Sequence, residues 1–207
     1  MKVNKGGSPS RRTQAERTAA TRAQLLAAAR KLFAEKGFAD VSTQAIVAAA
    51  GVTRGALYHQ FTDKTELFAA VYEEVERDLV AEIAGQIAEH PPTDPLEAMR
   101  VGARLFLDRC SAPEAAQIVL IDAPAVLGWV RWREVGMKYG LGVIEGMLTQ
   151  AIADGAIPDQ PVRSTAHVLL GALDEAALFI SRADDRVQAR RDMDAVCDRL
   201  LVGIAGR

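Results

Sequence analysis

The sequence has few of the features that mark several common protein classes. Only two cysteines occur, Cys110 and Cys197, and they lie far apart, each within an apolar helical pattern. They predict buried free thiols in a reducing compartment and argue against a disulfide framework or a zinc ligand pair. Alternating apolar and polar runs are nearly absent, which argues against a β-sheet protein.

The sequence also lacks the signals of membrane insertion, secretion and catalysis. No uninterrupted apolar run reaches membrane-spanning length, and residues 1–24 are basic and polar, so we expect a soluble cytoplasmic protein with no membrane partner. None of the three histidines has a glutamate three residues before it, and no nucleophile or phosphate-loop motif occurs. We therefore predict that the chain is not an enzyme and holds no metal or cofactor.

Abundant alanine and apolar residues at three- and four-residue spacing predict an all-α fold. Ser/Thr/Asp caps, glycine stops and prolines set the expected helix ends. We expect about nine helices: two short ones between residues 42 and 60, and longer ones over about 15–36, 64–90, 94–110, 113–122, 125–154, 162–181 and 187–204.

The net charge of −2 hides a strong asymmetry along the chain. Residues 1–64 contain 11 Lys/Arg and 4 Asp/Glu, whereas residues 65–207 contain 14 and 23. A basic amino-terminal part suits DNA phosphates, because Lys and Arg release the counterions condensed on the duplex. A solvated basic tail is the alternative explanation of the charge alone.

The segment from Ser42 to Lys64 contains two short helical patterns hinged at Gly51. The first pattern buries Ile46 and Val47, the second buries Leu57, and both leave polar side chains on the outside. This arrangement is typical of a helix-turn-helix DNA-binding motif. We accordingly expect a disordered basic arm over 1–14, a helix-turn-helix DNA-binding domain over 15–63, and a helical ligand-binding and dimerisation domain over 64–207.

Residues 15–70 resemble the amino-terminal domain of the tetracycline-repressor (TetR) family. The resemblance rests on residues at that family's spacing, namely Phe33–Phe38, Thr43, Ile46, Ala49–Thr53, Gly55–Tyr58, Phe61, Lys64, Leu67 and Phe68. It implies an all-helical homodimer whose third helix enters the major groove of a palindromic operator. It also implies a separate pocket for a small-molecule effector that releases the protein from DNA.

The first turn of the third helix carries the residues best suited to read DNA. Arg54 is expected to pair with a base edge, with a phosphate contact as the alternative. Gly55 lets the backbone approach DNA closely, unless packing requires it. Thr53 can cap this helix and touch phosphate or a thymine methyl group, and Thr43 can either bind phosphate or act as a plain cap.

Three further residues of this segment are predicted to contact DNA. Tyr58 and His59 follow the buried Leu57 and face outward, toward phosphates or a thymine methyl group. Packing is the alternative for the ring of Tyr58. Lys64, at the start of the fourth helix, is expected to pair with a phosphate.

The effector pocket is expected between the later helices, with apolar walls and few polar anchors, which suits a hydrophobic or aromatic effector. The candidate ligand contacts, for each of which core packing is the alternative, are Phe106, Asp122, Trp129, Trp132, Met147 and Asp174. The last two helices are joined by a short connection and are predicted to form half of a four-helix dimer interface, or else to face the monomer core. The predicted dimer contacts are His167, Leu170, Ala177, Leu178, Val196 and Leu200.

Together these features predict a ligand-responsive, dimeric transcriptional regulator, most simply a repressor. The alternatives are a helical interaction protein without sequence-specific DNA binding and, with no motif in its favour, a helical enzyme. The presence of Arg54, Gly55, Tyr58 and Lys64 argues against the first alternative.

Overall fold

The structure, a computed structural model, describes residues 13–206, which form helices joined by loops, with no strand in this range. Most of the predicted basic arm over 1–14, including Arg11 and Arg12, lies outside the described residues. The α-helices are α1 (Gln14–Lys36), α2 (Thr43–Ala50), α3 (Arg54–Gln60), α4 (Lys64–Glu89), α5 (Pro95–Cys110), α6 (Pro113–Ala115), α7 (Ala123–Gly136), α8 (Gly142–Ala153), α9 (Val162–Arg182) and α10 (Arg186–Ile204). This confirms the predicted all-α fold.

The helices α1, α2 and α3, which we call the amino-terminal unit, each begin directly after a residue whose side chain caps the helix. The Thr13 hydroxyl accepts a hydrogen bond from Glu16 N (3.2 Å), while the Glu16 carboxylate accepts one from Thr13 N (2.6 Å). Ser42 caps α2 through Ala45 N, and Thr53 caps α3 through Ala56 N. These bonds satisfy backbone donors that have no partner within the helix. The starts of α2 and α3 can therefore be recognised from the local sequence.

Glycines end α1 and α2. Gly37 has φ 75° and Gly51 has φ 66°, a region in which a side chain is strained. At Gly51 the chain turns from α2 into α3, which fixes the angle between the two short helices.

One apolar core joins the amino-terminal unit to the bundle behind it. The rings of Phe33, Phe38 and Phe68 pack edge to face or tilted, with centroids 5.2 to 5.8 Å apart. The same cluster continues through Tyr72 on α4 to Ile180 on α9. Since this core crosses residue 64, the predicted boundary between 15–63 and 64–207 stays a prediction.

The stretch from Pro113 to Ala153 departs from the predicted layout. We expected one helix to end near Asp122 and another to begin near Ala125, but helical structure runs through Pro124. The break falls instead at Gly128, where φ is 76° and ψ is 161°. Two π-helical turns, Ala116–Asp122 and Met137–Leu141, flank α7. Pro124 is tolerated because it follows a π turn, where the ladder of helical hydrogen bonds is already offset.

The carboxyl-terminal helices form a bundle with a second apolar cluster. Leu96 on α5, Leu148 on α8, Leu169 on α9 and Leu201 on α10 meet there. Cys110 and Cys197 are both buried and free. Among residues 13–206 no single helix has the length and apolar composition of a membrane span; only the pair Pro95–Cys110 and Pro113–Ala153, bent by 75°, meets that criterion jointly.

Candidate DNA-binding interface and ligand cavity

The outer face of α3 carries the residues predicted to contact DNA. Arg54, Gly55, Tyr58 and His59 are all exposed, whereas Leu57 between them is fully buried. Leu57 anchors the helix to the core, so its polar neighbours point away from the protein. A short helix held in this way presents its first turn as a rigid edge.

Arg54, Tyr58 and Thr43 form a small cluster that spans α2 and α3. The Arg54 guanidinium carbon lies 5.5 Å from the centroid of the Tyr58 ring. Arg54 first, and the Thr43 hydroxyl second, lower the pKa of the Tyr58 phenol. The cluster holds the guanidinium at the surface in contact with an aromatic face. Tyr58 is half exposed, so its ring both supports Arg54 and remains open to a partner.

Gly55 has no packing role in the part of the chain that the structure describes. A Cβ built on it would meet only the Thr53 hydroxyl oxygen, at 3.9 Å, which is an ordinary contact. Its φ also lies outside the left-handed region that glycine favours. Within residues 13–206, neither space nor backbone geometry therefore requires glycine here.

Lys64, the first residue of α4, is partly buried, and its ammonium group reaches the loop between α1 and α2. Its Nζ atom donates to the carbonyl oxygens of Phe38 and Val41, both at 2.9 Å, and lies 3.9 Å from the Phe38 ring centroid. Two of its three ammonium donors are thus used inside the protein. The primary role of Lys64 in this structure is to fasten that loop to α4, and a phosphate contact would have to use the remaining donor.

The amino-terminal unit is fastened to the bundle by polar contacts that the sequence did not reveal. Asp122, in the first π turn, accepts a hydrogen bond from Phe38 N at 2.8 Å. Arg30 on α1 pairs with Asp78 on α4 (2.6 Å) and with Glu114 on α6. These contacts join α1 and the loop that follows it to α4, α6 and the first π turn.

A second connection runs through α7. Arg131 makes a bidentate ion pair with Glu66 in the first turn of α4, with distances of 2.6 and 2.9 Å. The hydrogen bonds from Arg131 lower the pKa of Glu66. Fork-to-fork geometry of this kind fixes both position and orientation. The start of α4, next to α3, is therefore held by α7.

The apolar cavity that we call the main cavity has a volume of about 100 Å³ and lies among α4, α5, α8, α9 and α10. Its walls are almost entirely apolar; the largest wall side chains are Phe106, Met99, Met147, Ile83, Ile144 and Leu170. Phe106, Met147 and Asp174, three of the predicted ligand contacts, line it. Apolar walls with few polar groups are typical of small-molecule sites.

Two carboxyl groups provide the polar end of the cavity. Glu76 on α4 is only 7% exposed, and burial together with the nearby Asp174 raises its pKa to about 7. Burial raises the pKa of Asp174 to about 6, although the Arg133 guanidinium that pairs with it acts in the opposite direction. Our sequence reasoning missed Glu76. Its signal was visible, because Glu76 interrupts the apolar stripe of Tyr72, Leu79 and Ile83 on α4.

The other three predicted ligand contacts lie away from this cavity. Asp122 serves the bond to Phe38 described above. Trp132 is buried against α4 and the first π turn, where its Nε1 donates to the Val119 carbonyl (2.9 Å) and its carbonyl accepts from Tyr72 (3.0 Å). Trp129 is 65% exposed, because Gly128 breaks the helix just before it. The expectation that these residues line one pocket with Phe106 is therefore corrected.

The predicted dimer contacts divide between core and surface. Leu170 and Ala177 are buried inside the protomer, and His167 and Leu178 are partly buried. Val196 and Leu200 are exposed on α10. The exposed apolar residues of α9 that our prediction omitted are Val168 (71% exposed) and Phe179 (50%). The stripe we chose on α9 is thus mainly its inner face, and the free apolar positions lie on the opposite side.

The structure joins a capped helix-turn-helix unit with a polar outer face to a helical bundle with a mostly apolar cavity. This combination defines a ligand-binding regulator of the helix-turn-helix class. Residues 25–71 match the family model described as bacterial regulatory proteins of the tetR family, and residues 96–204 match the model of the tetracyclin repressor-like carboxyl-terminal domain. The chain belongs to the TetR family of regulators, as the sequence resemblance predicted.

Individual relatives agree with this assignment. The chain is 38% identical over 103 residues to the HTH-type transcriptional regulator CymR of Pseudomonas putida, a match that covers 49% of this chain and 51% of that protein. It thus spans about half the length of this curated relative. A solved structure of a TetR-family transcriptional regulator from Pectobacterium atrosepticum is 33% identical, with a TM-score of 0.84 over 95% of this chain and 99% of that one.

Proposed function

We propose that this chain is a homodimeric transcriptional repressor that binds a palindromic operator through α3 and is released by a small molecule bound in the main cavity. The observation that carries the proposal is the outer face of α3. There Arg54, supported by the Tyr58 ring, and Gly55 stand exposed at the first turn of a helix anchored by the buried Leu57. Its neighbours in the TetR family, named as regulators and repressors, support the same function.

The proposed DNA contacts follow from the geometry of α2 and α3. Arg54 would read a guanine edge in the major groove, since its guanidinium is exposed and oriented by the Tyr58 ring. Thr43 at the amino-terminal end of α2, with Thr53 and His59 on α3, would contact phosphates and set the register. Gly55 would allow the α3 backbone to approach the duplex.

The proposed dimer uses the outer faces of α9 and α10. Val168, Phe179, Val196 and Leu200 leave apolar surface on these two adjacent antiparallel helices. If this surface packed against the same surface of a second protomer, α9 and α10 of both protomers would form a symmetric four-helix interface. Two copies of α3 would then meet two half-sites of one operator.

The proposed release is a change in the position of α4 relative to α1 and α7. The cavity is bounded by Glu76 and Val80 in the middle of α4, whereas the start of α4 is held by Arg131 and follows α3 in the chain. A ligand that binds one position of α4 better than the other would shift the spacing of the two recognition helices. The loss of operator affinity cannot exceed the ligand's differential affinity for the two states.

Recovery of genomic DNA fragments by the purified chain tests this proposal. We expect fragments that share an inverted repeat, and we expect Arg54→Ala to weaken binding by about 1–3 kcal/mol while relaxing base preference at one position of each half-site. Arg77→Ala, at an exposed arginine of α4 outside the DNA-binding face, is the matched control. Failure to retain any DNA at low salt would favour the helical interaction protein instead.

A further inference from the structure

The cavity contains more negative charge than its immediate surroundings balance. Glu76 and Asp174 are its two acidic lining residues, and none of the described residues that line it is Lys, Arg or His. Arg133 lies behind Asp174 and pairs with it, and its second nitrogen donates to the His167 carbonyl at 3.3 Å. The cavity thus has two carboxyl groups and one neighbouring cation, Arg133, which pairs with Asp174. Within residues 13–206 no ion pair forms with Glu76.

The other groups that face Glu76 do not supply the missing charge. The Tyr72 hydroxyl, on the same helix, donates to the Trp132 carbonyl. Cys110 on α5 is neutral, because burial, followed by the charges of Glu76 and Asp174, raises the pKa of its thiol. Asp174 on α9 is a like charge. A buried, ionised carboxylate without a cationic partner is costly, and residues 13–206 provide no such partner for Glu76.

We propose that the cavity binds a small organic cation, a largely apolar molecule whose single ammonium or amidinium group lies between the carboxyl groups of Glu76 and Asp174. The apolar walls, from Ile83 to Phe106 and Met147, take the hydrocarbon body of the ligand. This inference rests on the proposed function, since it names the class of effector for the same cavity. A ligand with a carboxylate group would be repelled by the carboxylates of Glu76 and Asp174. A neutral ligand would bind to the form of the protein in which Glu76 is protonated.

The protonation of Glu76 distinguishes these ligand classes. With its pKa near 7, Glu76 is protonated in about half of the ligand-free molecules at neutral pH. A bound cation favours the ionised form, so its binding releases protons and strengthens as the pH rises through 7. A ligand that accepts a hydrogen bond from protonated Glu76 shows the opposite dependence, while a ligand held by apolar contacts shows none.

Calorimetric titration of the full chain with matched probes tests the inference. The probes are phenylbutylamine, phenylbutanol and phenylbutyrate, with two more trios on naphthylethyl and decyl bodies. On at least one body we expect the amine to bind about tenfold or more tightly than its alcohol. We expect that preference to grow between about pH 6 and pH 8, with proton release seen as a dependence of the heat on the buffer.

Glu76→Gln isolates the carboxylate. We expect it to abolish the preference for the amine and the proton release while leaving alcohol binding unchanged, which also shows that the cavity remains folded. Glu89→Gln, at an exposed glutamate of the same helix, should behave as the wild type. Alcohol or carboxylate binding equal to that of the amine, or no binding of any amine, overturns the inference.

A gel shift with a recovered DNA fragment separates this inference from the proposed function. An amine that binds calorimetrically but does not release DNA contradicts the proposed mode of release and leaves the cation site standing. Release of DNA by the alcohols or carboxylates, without preference for the amines, overturns the cation site and leaves the proposed function standing.

Discussion

The backbone N–H of Phe38 donates to the Asp122 carboxylate at 2.8 Å, across 84 residues of chain. Phe38 follows the end of α1, and Asp122 closes the first π turn, so this bond connects the DNA-binding unit to the bundle. Gly37 allows the approach, because a Cβ there would lie 3.1 Å from the Gln117 side chain and 3.6 Å from the Asp122 carboxylate.

Asp122→Ala should loosen this connection. The Phe38 N–H would lose its partner in a partly buried site, at a cost of about 1–3 kcal/mol in the free energy of unfolding. If the bond also transmits the ligand signal, the variant should bind ligand normally but release operator less completely. Urea unfolding and a gel shift with ligand measure the two effects. Asp40→Ala, at an exposed aspartate of the loop that contains Phe38, is the control. It should change neither the stability nor the release of operator.

Gly55→Ala and Gly51→Ala should separate DNA binding from folding. At Gly55 the new methyl group has space and a helical backbone, so the free energy of unfolding should stay the same or rise by up to about 1 kcal/mol. Operator affinity should nevertheless fall, because the methyl group would meet the duplex. At Gly51, φ of 66° makes alanine strained, and we expect a loss of about 1–2 kcal/mol in stability. Unchanged operator affinity in Gly55→Ala would contradict close approach by α3.

The raised pKa of Glu76 predicts that the ligand-free protein loses stability as the pH rises. A carboxyl group whose folded pKa lies above its ordinary value of 4.5 contributes fully below that value and loses its contribution as the pH passes through about 7. By pH 8 this loss is about 3 kcal/mol for Glu76. Glu76→Gln should remove this loss, so the variant should be more stable than the wild type at pH 8 but not at pH 5. Urea unfolding across this range, at fixed protein concentration, measures it; parallel pH profiles for the two proteins would be the contrary result.

Phe179→Glu should dissociate the proposed dimer. The ring is half exposed on the outer face of α9, where a partner copy would have to bury the new charge. Sedimentation velocity should show monomers, and operator affinity should fall because two half-sites are no longer joined. Ala81→Glu, on an exposed position of α4, is the matched control. A Phe179→Glu protein that sediments as the wild type would place the dimer surface elsewhere.

Local signals in the sequence predicted much of the fold, whereas contacts between distant segments stayed hidden. The side chains of Ser42, Thr53 and Asp94 each cap a helix by accepting a hydrogen bond from the backbone N–H three residues ahead, so the evidence for those helix starts lies within one turn of chain. Glu76 and Asp174, by contrast, lie on two helices that only the tertiary fold brings together at one cavity. An acidic residue in an apolar stripe indicates a special site, but it does not say which residue lies opposite.

The same limit explains the mixed result for the predicted site residues. Arg54, Gly55 and Tyr58 belong to one short helix whose exposed face follows from the buried Leu57. For Trp129 and Trp132, by contrast, only their size and apolar character predict a position in the pocket. One lies on the surface beyond the break at Gly128, and the other fills the core beside Val119.

The π turn at Ala116–Asp122 makes the number of residues in this segment important. A π turn accommodates one more residue than an α-helical turn, so the side chains beyond it are rotated by about 100° relative to an uninterrupted α-helix. Asp122 stands at the end of that turn and meets Phe38 from there. Removing one residue from this segment would restore a regular helix with nearly the same composition, yet it would direct Asp122 away from the DNA-binding unit. The number of residues between Pro113 and Asp122 is thus as much a part of the connection as the aspartate itself.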